Sequence, residues 1–167
     1  TSGAGNVAIG RQAADAITVG VYNMAIGEHA LGENVEGSYN MAIGHKSLEV
    51  FVADEANHGA NTCVGTYTGQ YVSTGTANTF MGSGAGTGVT GTRLTGDSNT
   101  AIGGDAGNAL RGAATCNTLI GQTAGVAIQA GTNNTCIGQG SAPSAHGGTN
   151  QTVIGYGTTG VADNSVT

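Results

Sequence analysis

The sequence predicts an all-β fold, a parallel β-solenoid of about nine coils that takes up residues 1–167 as a single domain. Three observations carry this. The phrase Y-N-M-A-I-G stands at residues 22–27 and again at 39–44, seventeen residues on. The composition has 32 glycines in 167 residues, one proline, no tryptophan and only 8% charged side chains. No helical apolar stripe or heptad run is present, and glycines at this density would each cost a helix about 1 kcal/mol relative to alanine. A disordered chain would carry more charge or proline and fewer aliphatics.

The phrase recurs along the whole chain: NVAIG (6–10), NMAIG (23–27), NMAIG (40–44), NTCVG (61–65), NTFMG (78–82), NTAIG (99–103), NTLIG (117–121), NTCIG (134–138) and QTVIG (151–155). The closing glycines are spaced 17, 17, 21, 17, 21, 18, 17 and 17, and a tenth copy is expected to begin at Asn164-Ser165-Val166-Thr167. A strand-and-turn unit of this period is one coil of a solenoid. Equivalent residues then stack about 4.8 Å apart, and every column becomes a ladder. The first column is asparagine eight times and Gln151 once, which predicts side chains bonded along the axis. The fifth is always glycine, which predicts a positive φ or a close approach between coils. Stretches such as EHALG and QTAGVAI predict a second short strand, followed by a turn to the next coil.

Within each strand the second and fourth positions share a face, and the third points the other way. The fourth column (Ile9, Ile26, Ile43, Val64, Met81, Ile102, Ile120, Ile137, Ile154) is wholly aliphatic and is expected to line the coil core. The third (Ala8, Ala25, Ala42, Cys63, Phe80, Ala101, Leu119, Cys136, Val153) is also apolar and mostly small. A thin coil has one inside, so this second apolar face is expected to form the seam of a parallel homotrimer. A broader solenoid burying both faces in one chain is the other arrangement.

N-T-A-I-G followed by a small-residue strand resembles the head repeats of YadA-like trimeric autotransporter adhesins. It is more similar to the longer-period β-roll repeats of bacteriophage tail fibres, which run much like GNNNTAIGYQAL. The likeness extends through all nine copies. It implies a left-handed parallel β-roll, intertwined as a homotrimer, serving as the head or shaft of an adhesive fibre. The ending GVADNSVT is similar to the passage into the C-terminal region of such phage fibres, where a self-cleaving intramolecular chaperone often follows. The adhesin heads have shorter coils, nearer fourteen residues, and carry a neck, stalk and outer-membrane anchor. The seventeen-residue coils here favour a phage or virus fibre. The chain is accordingly expected to be a fragment of a longer fibre at an extracellular or virion surface.

Other classes of function fit poorly. The net charge is −6, and residues 1–60 hold seven of the ten acids but two of the four bases. Four scattered bases form no phosphate-binding footprint, so no nucleic acid is expected as partner. No apolar run reaches a membrane span, so no membrane insertion is expected. An enzyme is not expected, nor a cofactor or metal site, because His29, His45, His58 and His146 fall at unrelated positions of the repeat. Glu28-His29, and Asp54-Glu55 with His58, read as solvated turns. GSGAGTG (82–88) lacks the G-K-[ST] of a phosphate loop, and GGDAGN (103–108) occurs once where calcium-binding repeats need tandem copies. Cys63, Cys116 and Cys136, odd in number and without C-x-x-C spacing, are expected as buried free thiols. The threonines of the second column raise ice binding. That column also holds Val7, Met24 and Met41, and it shares a face with the expected isoleucine core.

Two coils are four residues longer, within 48–61 and 86–99. Enlarged loops on a rigid scaffold are where binding resides. They nominate Phe51, Asp54, Glu55 and His58 in the first, and Thr90, Thr92, Arg93 and Asp97 in the second, for contact with a cell-surface receptor, above all a glycan. A passive shaft is the alternative. Tyr22, Tyr39, Tyr67, Tyr71 and Tyr156 are able either to stack on sugars or to pack at coil corners.

Overall fold

The computed structural model describes residues 3–53, 55 and 58–167. Nine three-residue strands succeed one another: β1 (Val7–Ile9), β2 (Met24–Ile26), β3 (Met41–Ile43), β4 (Thr62–Val64), β5 (Thr79–Met81), β6 (Thr100–Ile102), β7 (Thr118–Ile120), β8 (Thr135–Ile137) and β9 (Thr152–Ile154). They form one sheet in chain order, each parallel to the next. The register is that of the repeat: Ala25 pairs with Ala42, Cys63 with Phe80, Ala101 with Leu119. The chain is a parallel β-solenoid, and columns in the sequence are columns in space.

The assignment of faces is reversed. From Ala25 to Val153 the third column is fully buried inside the coil, not on a seam. The fourth column points outward: Ile102 is 37% exposed, Ile120 38% and Ile154 57%. The reason is room. Each coil is thin, and the third side chain shares its interior with the residue six positions later. Where the third residue is Ala25 or Ala42, its counterpart is Leu31 or Leu48, both fully buried. Where it is Phe80 or Leu119, the counterpart is Gly86 or Gly125. A Cβ added to Gly86 would overlap the Phe80 ring, and one on Gly125 would sit 2.5 Å from a Leu119 methyl. At these levels large opposes small, as close packing requires.

The asparagine ladder is continuous. Asn99 donates its backbone N–H and Nδ2 to Oδ1 of Asn78 at 2.9 and 3.0 Å, and its own Oδ1 accepts the same pair from Asn117 at 3.2 and 2.9 Å. From Asn23 to Asn134 every member is buried. The closing glycines have φ between 123° and 137°. A Cβ on Gly103 would lie 2.7 Å from the carbonyl of Gly121 in the next coil, so both predicted roles of glycine hold at once.

The expected second strand does not form. Turns take its place, with left-handed residues alternating along them, as at His29 (φ 57°) and Leu31 (φ 54°). The alternation turns the amides in opposite directions. His29 N–H donates to Arg11 O in the coil before, and Leu31 N–H to Ser47 O in the coil after, each at 3.0 Å. Both neighbours are bonded without an extended segment. Left-handed side-chain residues cost roughly 1–2 kcal/mol each, which these inter-coil bonds offset.

The tenth copy is displaced by one residue. Thr152 N–H donates to Ser165 O, as Thr135 N–H does to Gln151 O, both at 2.8 Å. Ser165 therefore holds the first column, and Val166 pairs with Thr152. This last coil spans fourteen residues (165 − 151). Gln151 ends the ladder by folding back: its Oε1 accepts from Ser144 N–H, and its Nε2 donates to Asp163.

Of the thiols, Cys63 and Cys136 are buried as expected, but Cys116 is exposed, because it occupies the outward corner position just before an asparagine. Burial pushes the Cys63 thiol up, and that of Cys136 up to about 11. In the native protein one thiol per chain should react rapidly with a maleimide, and peptide mapping should find the label on Cys116. Fast labelling of Cys63 and Cys136 would refute the interior placement of the third column.

Candidate functional site

Two surfaces stand out from the smooth coil. The first follows from the strand period of two. With the third column inside, the second and fourth lie together on the outside, and Thr100 beside Ile102 recurs as Thr118 beside Ile120 and Thr135 beside Ile137. The threonines are half-buried, and the aliphatic column runs the length of the sheet, from Ile9 at 59% exposed to Ile154. A continuous apolar stripe of this kind marks an interaction surface. The ground on which the sequence argues against ice binding is thereby corrected: the threonine column shares an exposed face, not a buried one. Val7, Met24 and Met41 still replace threonine in the first three coils.

The second surface is built by the two insertions. Val52 N–H donates to Ser73 O and Ser73 N–H to Leu94 O, each at 2.9 Å. The start of the first insertion and the end of the second thus stand in one column, on one side of the solenoid. Phe51 is fully buried and is no contact residue, a correction to its nomination. It fills the interior in the column of Asn34, against Gly37. Asp54 lies outside the described residues. Glu55 and His58 are exposed and pair at 3.4 Å. In the second insertion, an antiparallel bridge from Val89 to Thr92 closes a tight hairpin. Thr90, Thr92 and Arg93 are exposed there, with Arg93 Nη1 at 3.9 Å from Glu33 Oε2. Asp97 is a clamp at the coil corner: its Oδ1 accepts from Thr76 N–H at 2.7 Å and from Thr76 Oγ1 at 3.0 Å.

The tyrosines divide. Tyr22 and Tyr39 stack on each other at 5.6 Å, and Tyr22 also covers Gly5, so at least one face of each ring is taken up by a neighbouring coil while both residues stay more than half exposed. Tyr67 meets His45 edge-on at 5.2 Å. Glu28 pairs with Arg11 and not with His29. The hydrogen bond from Arg11 holds its carboxyl below the ordinary carboxylate range, and His45 Nε2 stands 4.0 Å away. The glycines of GSGAGTG serve the core, Gly86 giving room to Phe80. Among the described residues no three His, Cys, Asp or Glu side chains gather as metal ligands. An open groove of about 480 Å³, unforeseen in the sequence, lies beside the shortened last coil, lined by Pro143, Ala145, His146 and Thr159 among others. No signal in the repeat marks it, because it depends on where the coil length changes.

Compared with family models, curated proteins and solved structures, the chain matches none.

Proposed function

We propose that this chain is a structural and adhesive segment of a homotrimeric fibre, its coils wound left-handed, at an extracellular or virion surface, and that it contacts a cell-surface receptor, above all a glycan. The observation that carries the reading is the outward aliphatic column. Nine stacked side chains, none of them charged, run along one face. Exposed to water they would drive aggregation, whereas three copies in parallel register cover one another along a common axis. The seam is therefore placed on the second and fourth columns, and the third column belongs to the core of each chain. The polar, protruding insertions lie elsewhere on the coil and supply the recognition surface.

Native mass spectrometry of the chain should give a trimer, and a monomer would overturn the assembly. Trimming each insertion back to a seventeen-residue coil tests recognition. The trimmed trimer should lose adsorption to receptor-bearing cells, and undiminished adsorption would mean a passive shaft. The exposed threonines favour one second reading, ice binding. It requires a monomer with thermal hysteresis activity, an outcome opposite to the trimer.

A further inference from the structure

We infer that the groove beside the last coil is a vacated rung of the solenoid, and that it binds an extended, uncharged segment of a partner protein whose central residue is aliphatic. The inference is independent of the receptor reading. The coil that begins at Asn134 takes seventeen residues to reach Gln151, and the last takes fourteen to reach Ser165. The three missing residues belong to one corner. Ala142 pairs with Thr159, and Gly160 N–H donates to Ala142 O at 2.9 Å. On the far side of the corner Asp163 accepts from Thr149 N–H at 2.7 Å, and Asn164 stands against Asn150. Residues 143–149 are thus faced by 160–163 alone, and Ser144, Ala145 and His146 have no rung beside them. All three are exposed. With Ala127, Pro143 and Thr159 they line the groove of about 480 Å³, a volume within the roughly 300–1,000 Å³ of ligand clefts.

The preceding coils define the occupant. Arg111 N–H donates to Gln129 O at 2.8 Å, and Gln129 N–H to His146 O at 2.9 Å. His146 N–H is next in this column and finds no acceptor among the described residues, so it presents a donor to an incoming backbone carbonyl. An unpaired edge of this kind is a template for an added strand, in which main-chain bonds give affinity and side-chain pockets give specificity. One coil earlier the same corner is Ala127-Ile128-Gln129, with Ile128 fully buried. Ala145, in register with Ile128, is exposed because no residue covers it. A central aliphatic side chain on the occupant extends that inward column. Charge is excluded. Beyond Arg111 the only charged residue is Asp163, and its carboxylate is already bonded to Thr149 and Gln151. A charged occupant would lose its water with no partner to replace it.

The test is fluorescence anisotropy of the full chain with a labelled peptide, Val-Ala-Ile-Gln-Ala-Gly, copied from residues 126–131. The peptide should bind, and amide exchange at His146 should slow in the complex. Ala145→Glu changes an exposed residue, so circular dichroism should be unchanged while binding weakens roughly tenfold or more. The same peptide with aspartate in place of its isoleucine should lose a similar factor. Inserting Ala-Ile-Gln after Gly160 lengthens the last coil to seventeen residues and should close the groove to the peptide. No binding at millimolar peptide would overturn the inference. So would equal binding by Ala145→Glu or by the aspartate peptide, or unchanged exchange at His146. A native mass that Ala145→Glu halves would also overturn it, because the occupant would then be a second copy.

Discussion

Ala101→Glu should abolish folding, whereas Ile102→Glu, one residue on, should leave the coil folded and remove its self-association. Ala101 is fully buried within a single chain, between Phe80 and Leu119 of the same column. A glutamate there buries a carboxylate with no partner, at an effective cost of several kcal/mol, and overpacks the interior by about 1–3 kcal/mol more. The sum rivals the whole stability of a domain. At Ile102, already 37% exposed, a carboxylate remains hydrated in the single chain. It becomes intolerable only where three copies converge. Circular dichroism melts and native mass of the two variants separate the cases. A folded but monomeric Ala101→Glu protein would return the seam to the third column.

Asn99→Ala should cost at least about 3 kcal/mol, far more than its small loss of apolar surface. The side chain carries two rungs of the ladder. Its removal leaves the N–H and Nδ2 of Asn117 without their acceptor and Ala114 O without its side-chain donor (a 2.8 Å bond), while Asn78 Oδ1 keeps only the backbone N–H of position 99. All of these groups are buried, and an orphaned buried polar group costs roughly 1–3 kcal/mol. Urea unfolding measures the loss, and amide exchange at Asn117 should accelerate with it. A change under about 1 kcal/mol would mean that the ladder is ornamental to a fold held by its core.

What the sequence makes legible is whatever stacking dictates. Every strand falls on the second to fourth positions of a repeat copy, because identical residues at a fixed period can satisfy one another only in parallel register. The face assignment is different. The aliphatic fourth column looks like a core, and ranking residues by size places it inside. The deciding signal was present but lay across the coil: Ala42 with Leu48, Cys63 with Gly69, Phe80 with Gly86. Such compensation at a spacing of six means that the third column shares a confined interior. The second half of the coil reads as strand in the sequence because its alternating left-handed residues, such as Gln12, Lys46 and Tyr67, carry no glycine to announce them. Phe51 falls within the first insertion as the sequence bounds it, because chain length locates an insertion only to within several residues. Its aromatic ring belongs to the coil that the insertion leaves.

The ladder of nine strands also sets a scale of length. Seventeen residues wound into one coil advance the axis by about 4.8 Å, where the same residues drawn straight would span roughly 55–60 Å. Reach is thus surrendered about twelvefold in exchange for rigidity, and it comes in indivisible steps. Duplicating or deleting one repeat moves whatever the coils carry by one rung along the axis without disturbing a single pairing elsewhere. A gene that copies this phrase can therefore set the standoff between the two ends of the coil as a ruler is lengthened, one graduation at a time.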